Sequence, residues 1–283
     1  MTKLFVDCGV TKIRLTGGEP LLRPNLVELI GKLRKIPGIK DLALTTNGSL
    51  LTQYARALQE AGLDRITVSL DTLDARLFHQ MNGNKGDLKK VLEGINICEE
   101  LDFAAIKINV VLQKGVNDRN ALDLVGHFKG RKPVLRFIEY MDVGNCNHWG
   151  LRYVVPTREI VDQINSRFPL RPLAAKEFGE VAARYEFADG SGEIGFISSV
   201  TKPFCGTCTR GRISADGKLY TCLFAGEGVD LRAPLRAGAD DAELSALIQN
   251  VWQKRTDRYS ELRTKIRSNP EPVHKVEMFQ IGG

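Results

Sequence analysis

The first half of the sequence alternates two kinds of hydrophobic run, and that alternation leaves few folds open. TKIRLTGG, IKDLALTTN, DRITVSLD, AAIKINVVL and VLRFIEYM read as strands. NLVELIGKLRKI, LTQYARALQEAG, DLKKVLEGINICEEL and RNALDLVGHF have helical periodicity; the first starts just after Pro24 and the second ends at a glycine. βα-type units in a row predict a parallel sheet or barrel with right-handed crossovers. Each strand also ends in polar or glycine chemistry: Gly17 to Pro20, Thr45 to Asn47, Ser69 to Asp71, Lys107 to Asn109, and Glu139 to Asp142. One such end is an ordinary turn. Five with one polar theme predict a single pocket at the C-terminal ends of the strands, where α/β barrels carry their sites.

The texture changes near residue 150. VPTREIVDQINSRF is helical, and ARYEFADGSGEIGFISSV predicts a hairpin turning through Asp189 to Gly192. A cysteine segment follows, with a second hairpin turn at Ala215 to Lys218. DDAELSALIQNVWQKR is an amphipathic helix with Asp240 as its N-cap, and the chain ends in HKVEMFQIGG. There is no internal repeat and no low-complexity segment.

The cysteine segment, FCGTCTRGRISADGKLYTC, carries the chemistry. Cys205 and Cys208 share one tight turn, and Cys222 arrives from a hairpin strand. Clustered cysteines in a chain without a disulfide framework point to a metal. Zinc in a structural site takes four protein ligands, and no fourth cysteine or histidine lies near Cys222; His148 and His274 are distant in sequence. The choice stands between an iron–sulfur cluster with one open iron and a structural zinc with a remote ligand. Cys8, Cys98 and Cys146 are isolated and read as small buried hydrophobes or inert thiols. Arg210 and Arg212 lie two apart, so on an extended strand they share a face and suit phosphate oxygens.

The formal net charge of +6 permits an anionic partner, but the basic residues are scattered. Without dense basic runs a nucleic-acid face is not expected, and a phosphorylated small molecule accounts for the charge equally well. No stretch approaches the roughly 20 apolar residues that span a bilayer. The start, MTKLFVDCGVTKIRL, has no signal-peptide pattern, which predicts a cytoplasmic protein without a membrane partner.

In order along the chain, KIRLTGGEPLLRPNL, LTTNG, ITVSLDTL, KINVVLQKGVND, RFIEYMDVGN, FCGTCTRGRISADGKLYTCLFA and the terminal IGG resemble the GTP 3′,8-cyclase family of the radical S-adenosylmethionine superfamily. The resemblance implies an α/β fold: a partial TIM-type (βα)6 barrel over residues 1–150 and a C-terminal iron–sulfur extension over 151–283. It implies conversion of GTP to a 3′,8-cyclised nucleotide, the first step of molybdenum cofactor (molybdopterin) biosynthesis, in a homodimer. The downstream partner would be cyclic pyranopterin monophosphate synthase. Family members use two [4Fe–4S] clusters. One cleaves S-adenosylmethionine to a 5′-deoxyadenosyl radical, and the other binds the guanine base at its open iron. By the same resemblance Cys205, Cys208 and Cys222 hold the substrate-binding cluster. GTP contacts fall on Arg14, Thr45, Lys107, Arg136, Arg210 and Arg212, of which Arg210 and Arg212 are the catalytic pair. S-adenosylmethionine contacts fall on Gly18, Ser69 and Met141. Gly282 and Gly283 match a double-glycine tail that reaches the active site.

The family pattern opens with a Cys-x3-Cys-x2-Cys loop, and this sequence begins about fifty residues after that point. MTKLFVDCGVTKIRL aligns with the end of the first barrel helix, so the first βα unit and the ligands of the radical-generating cluster are expected to be missing. The expectation is a fragment of a cyclase, inactive alone; the alternative is a non-catalytic nucleotide-binding protein with one structural zinc or iron–sulfur site.

Overall fold

The computed structural model describes residues 1–267 and 274–282. The chain opens with α1 (Thr2–Asp7) and continues through β1 (Lys12–Leu15), α2 (Leu26–Arg34), β2 (Asp41–Thr46), α3 (Leu51–Glu60) and β3 (Arg65–Ser69). Then come α4 (Ala75–Met81), α5 (Leu88–Glu100), β4 (Ala105–Leu112), α6 (Ala121–Phe128) and β5 (Val134–Glu139). β1 to β5 lie side by side in chain order and pair in parallel, as the alternation predicts. α4 was not legible in the sequence: it buries only Phe78, so it has no apolar stripe, and it is started by the Asp74 carboxylate accepting from the Leu77 N–H at 2.8 Å.

After α7 (Thr157–Arg167) the chain makes β6 (Leu170–Leu173), β7 (Ala183–Phe187) and β8 (Glu193–Ile197). The expected hairpin is β7–β8, but it is not a separate appendage. β8 pairs parallel to β5, and β7 and β6 add antiparallel strands outside it. The result is one eight-stranded sheet in the order β1-β2-β3-β4-β5-β8-β7-β6, which runs across residue 150. β1 and β6 are its two edges, so the α/β fold with a parallel sheet is as expected, while the sheet is open and the expected partial barrel is not seen as such among the described residues. Closure needs a strand joining the two edges, and among the described residues none pairs with the outer side of β1.

Strand alternation divides the sheet. In β4, Ile106, Ile108, Val110 and Leu112 are buried on one face, while Lys107 and Asn109 take the other. The buried face meets the helices in a core that includes Ile30, Leu42, Leu44, Leu51, Leu58, Ile66 and Ile95. The other face carries the site. Beyond the sheet, β9 (Arg212–Ile213), β10 (Lys218–Tyr220) and β11 (Val229–Asp230) form a small antiparallel sheet that includes the second predicted hairpin. α8 (Arg232–Arg236), α9 (Asp241–Gln253), α10 (Tyr259–Arg267) and α11 (Met278–Ile281) complete the chain. Asp240 caps α9 in a reciprocal pair with Glu243. A second core of Leu4, Leu219, Leu231, Leu244 and Ile248 packs α1 against α9 and the small sheet, tying the first residues to the C-terminal region. No helix among the described residues is long and apolar enough to cross a membrane.

Two helical glycines have opposite reasons to exist. A Cβ at Gly31 in α2 would meet nothing within 4 Å, whereas a Cβ at Gly94 in α5 would lie 2.6 Å from the Leu51 Cβ of α3. Gly31→Ala should therefore raise stability by up to about 1 kcal/mol through helix propensity. Gly94→Ala should lower the melting temperature despite the same propensity gain, because α3 and α5 must separate. Equal melting temperatures for Gly94→Ala and the parent would refute that close approach.

Candidate active site

The strand register assembles a face of positive charge. Arg14 of β1 aligns with Ala43 of β2 and Arg65 of β3; one step along, Thr45, Thr67 and Lys107 align; the next step brings Ser69, Asn109, Arg136 and Gly195 together. All lie on the face opposite the helices. Arg136 is 8% exposed, and its Nε donates to Asn109 Oδ1 at 3.0 Å. Arg65 forms a two-pronged pair with Asp41, with Nε to Oδ1 at 2.6 Å. Burial, then Arg136, Arg65 and Arg14, push the Lys107 ammonium down to about 8. Burial and neighbouring positive charge also lower Arg14 and Arg136, but guanidinium groups remain charged at neutral pH. The Thr45 hydroxyl is buried here with no hydrogen-bond partner among the described residues. Arg136 is buried, Arg65 and Lys107 are half-buried and Arg14 is exposed; such a cluster of cations beside an orphaned hydroxyl suits a polyanionic ligand.

The cysteine segment stands beside this face. Cys205 begins a one-turn helix, and the Cys208 N–H returns to its carbonyl at 3.2 Å. The Gly206 N–H donates to Glu261 of α10, and Arg255, just beyond α9, donates to the Cys208 carbonyl, so two C-terminal elements hold the turn. All three thiols are free and partly buried. Burial alone would raise the Cys208 thiol, but the Arg210 charge, with hydrogen bonds at the sulfur, brings it down to about 7; Arg210 Nη2 lies 3.2 Å from Sγ. Burial raises the Cys222 thiol, and Cys205 adds to that rise. Among the described residues no three His, Cys, Asp or Glu side chains converge to hold one metal ion. Three free thiols beside arginines nevertheless have the donor chemistry of an iron–sulfur site.

The two arginines part company. Only Arg212 lies in β9; Arg210 precedes it, stacks over the Phe204 ring and faces Cys208. The Arg212 Nε donates to the Gly282 carbonyl at 3.2 Å, which brings the C-terminal tail to the cysteine segment. Gly282 has φ 73°, and a Cβ there would lie 2.2 Å from Thr16 Cγ2, so the tail also touches the end of β1. Gly283 lies outside the described residues. Gly18 sits in the turn after β1, and Ser69 is exposed at the end of β3. The Met141 carbonyl accepts from Asn147 Nδ2 at 3.0 Å.

Two strand-end carboxylates expected in the pocket are structural ties instead. Glu19 accepts from Thr46 Oγ1 and the Asn47 N–H, both at 2.7 Å, locking the GGEP turn to β2. Glu139 accepts from the Thr157, Val200 and Thr201 N–H groups at 2.8 Å each, joining β5, α7 and the turn after β8. Of the isolated cysteines, Cys98 is buried, with its thiol pushed up to about 12 mainly by burial, whereas Cys8 is half-buried and Cys146 exposed. Arg65, also on this face, was missed, whereas Asn109 was named only as part of a polar strand end. Counting in twos back from Ser69, through Thr67, would have found Arg65 on the same face.

Residues 1–127 match the model of the radical SAM superfamily, and residues 134–261 that of Molybdenum Cofactor Synthesis C. An α/β radical S-adenosylmethionine domain joined to a molybdenum cofactor synthesis region is the class that fold and site define. A GTP 3′,8-cyclase of Xanthomonas campestris pv. campestris (strain 8004) is 53% identical over 100% of this chain and 82% of its own length. One from Acidothermus cellulolyticus (strain ATCC 43068 / DSM 8971 / 11B) is 49% identical over 99% of this chain and 83% of its own. Among solved structures, native anSMEcpe with bound AdoMet is similar at a TM-score of 0.47 and 15% identity, over 79% of this chain and 64% of that one. The chain belongs to the GTP 3′,8-cyclase family.

Asp71, at the end of β3, gives a pH-dependent test of the site's surroundings. Its carboxylate accepts from the Val111 N–H at 2.7 Å, but burial pushes its acid up from 3.8 to about 6. A folded-state value above the unfolded one means the fold prefers the protonated form. Stability is then fullest below pH 4 and is lost as pH rises through about 6. Asp71→Asn keeps the acceptor and removes the charge. It should raise the melting temperature at pH 8, by at most about 3 kcal/mol of stability, and give no gain at pH 4. A loss at pH 8 would show that the ionised carboxylate is needed.

Proposed function

We propose that the chain carries the substrate side of a GTP 3′,8-cyclase, which converts GTP to (8S)-3′,8-cyclo-7,8-dihydroguanosine 5′-triphosphate in molybdenum cofactor biosynthesis. The observation that carries this reading is the cationic face of Arg14, Arg65, Lys107 and Arg136, which aligns on alternate positions of neighbouring strands. A triphosphate supplies the negative charge that face lacks, and guanidinium forks suit its oxygens. Thr45 offers the ligand its unpartnered hydroxyl. Cys205, Cys208 and Cys222 would hold a [4Fe–4S] cluster beside the nucleotide, and Gly18, Ser69 and Met141 would receive S-adenosylmethionine. When bound, the cluster would offer its open iron to the guanine base, and S-adenosylmethionine, cleaved at a second cluster whose ligands are not among these residues, would supply hydrogen-atom abstraction at the ribose. The chain's own residues hold the nucleotide for it: Arg14, Lys107 and Arg136 grip phosphate, while Arg210 and Arg212 form the catalytic pair between cluster and tail. Arg212 is steadied by the Gly282 carbonyl.

The 283 residues contain one clustered cysteine triad and no Cys-x3-Cys-x2-Cys run, so the ligands of a radical-generating cluster are not among them. Family membership supports a cytoplasmic homodimer that passes its product to cyclic pyranopterin monophosphate synthase.

Anaerobic reconstitution should give about four irons per chain, with sulfide to match, and Cys222→Ser should lose them. In isothermal titration of that protein with GTP, Lys107→Ala and Arg136→Ala should each weaken binding about 10- to 100-fold, the scale of a hydrogen bond to a charged group. One zinc per chain, with GTP affinity unmoved by either substitution, would replace the cyclase with a non-catalytic protein that has one structural zinc site and binds nucleotide away from this face.

A further inference from the structure

The connection between β6 and β7, residues 174–182, sets two carboxylates, Glu177 and Glu180, beside the cationic face, and nothing so far explains it. It reaches that face at three points. Glu177 makes an ion pair with Lys12, which lies two residues before Arg14 on the same side of β1. Gly179 rests against the cysteine turn: a Cβ there would lie 3.0 Å from the Thr207 carbonyl and 3.2 Å from Thr209 Oγ1. Ala182 packs beside Gly195, whose own missing Cβ would sit 3.3 Å from Arg136 Cγ. The segment therefore bridges β1, the cysteine turn and β5.

Its two carboxylates are held differently. Glu180 is anchored within its own segment: it accepts from the Lys176 N–H at 2.7 Å and lies 3.9 Å from Arg184, which in turn pairs with Glu193 at 2.7 Å. Among the described residues the Glu177 carboxylate pairs with Lys12 alone, and both side chains are about half exposed. Such a pair contributes about 0–1 kcal/mol and exchanges easily.

We propose that residues 174–182 form a counter-charge strap, in which Glu180 fixes the segment and Glu177 is an exchangeable carboxylate that nucleotide phosphate must displace from Lys12. The proposal rests on the reading of the cationic face as a phosphate site. The wider electrostatics agree with the geometry. Glu180 favours the charged forms of Lys107 and Arg136 and so opposes their downward shift, and Glu177 is itself held below its ordinary value by Lys12 first, then by Arg65 and Lys107. The strap leaves the cations with compensating charge when no ligand is bound, at a position where stronger and more numerous negative charges can replace it. Every phosphate ligand then binds more weakly than the bare face would allow.

Inorganic tripolyphosphate, titrated calorimetrically into the reconstituted full chain at fixed ionic strength, probes the strap without the base or ribose. Glu177→Gln should tighten tripolyphosphate binding about 2- to 5-fold, the range an exposed ion pair spans. Glu28→Gln, whose partner Lys32 lies on the same exposed helix, should leave it unchanged. Amide hydrogen exchange in residues 176–180 of the parent should speed up when tripolyphosphate binds. Binding that is unchanged or weaker in Glu177→Gln, or slower exchange in 176–180, overturns the strap while leaving the phosphate reading intact. Failure of tripolyphosphate to bind either protein overturns the phosphate reading and the strap with it.

Discussion

Asp142 is the residue on which the assembly of the separate parts depends. It is 1% exposed, three residues beyond β5, and three side chains from two distant stretches of chain converge on it. Oδ1 accepts from Arg263 Nε at 2.8 Å; Oδ2 accepts from the Tyr259 hydroxyl at 2.6 Å and from Lys275 Nζ at 2.9 Å. Lys275 also donates to the Asp142 carbonyl, and Arg263 to that of Ser199, beyond β8. Burial alone would make this carboxyl hard to ionise, but the donors hold it below its ordinary range. Phe224, two residues after Cys222, stacks on Tyr259 and lies under both cations. The sheet, the cysteine segment, α10 and the tail thus meet around one carboxylate. Removing one partner from so dry a network leaves charge uncompensated, which costs about 3–5 kcal/mol.

That convergence explains why the site can concentrate like charge. The cations on the sheet face repel one another; within β1 through β5 the Asp41 carboxylate pairs with Arg65, and the rest of the cost falls on other parts of the fold. The opposing forces are the apolar core behind the same strands and the ties at the strand ends, where Glu19 and Glu139 lock turns to neighbouring elements. Strand alternation makes the two requirements compatible: the residues that bury Ile106 and Ile108 among helices also project Lys107 and Asn109 into the site.

Much of this was legible in the sequence. The parallel order of β1 to β5 follows from the strand–helix alternation, and the β7–β8 and β9–β10 hairpins from their turns. The docking of β8 on β5 did not follow, because ARYEF and EIGFI would make the same hairpin at any sheet edge. Gly195 marks the choice only afterwards, as the residue that leaves room for Arg136. The polar strand ends were visible, but Glu19 and Glu139 read the same as pocket residues until their partners are seen. Burial and hydrogen bonding, not residue type, separate a tie from a ligand. Arg65 escaped because attention to strand ends overlooks a strand's first residue, although the period of two carries it onto the same face.

The tail shows how a weak sequence signal becomes a constraint. A terminal glycine pair says little by itself, since chain ends tolerate any small residue. The fold gives Gly282 three conditions at once: a left-handed φ of 73°, contact with Thr16 just after β1, and a carbonyl turned to Arg212. A side chain would have to displace Thr16 and adopt a strained backbone. The approach is fixed upstream, where Lys275 is bound to Asp142 and the Glu277 carboxylate accepts from the Asn145 N–H at 2.8 Å. The carboxylate that joins the body of the protein therefore also aims its last described residue at the arginine beside the cysteines, so assembly of the C-terminal region and completion of the site are one event.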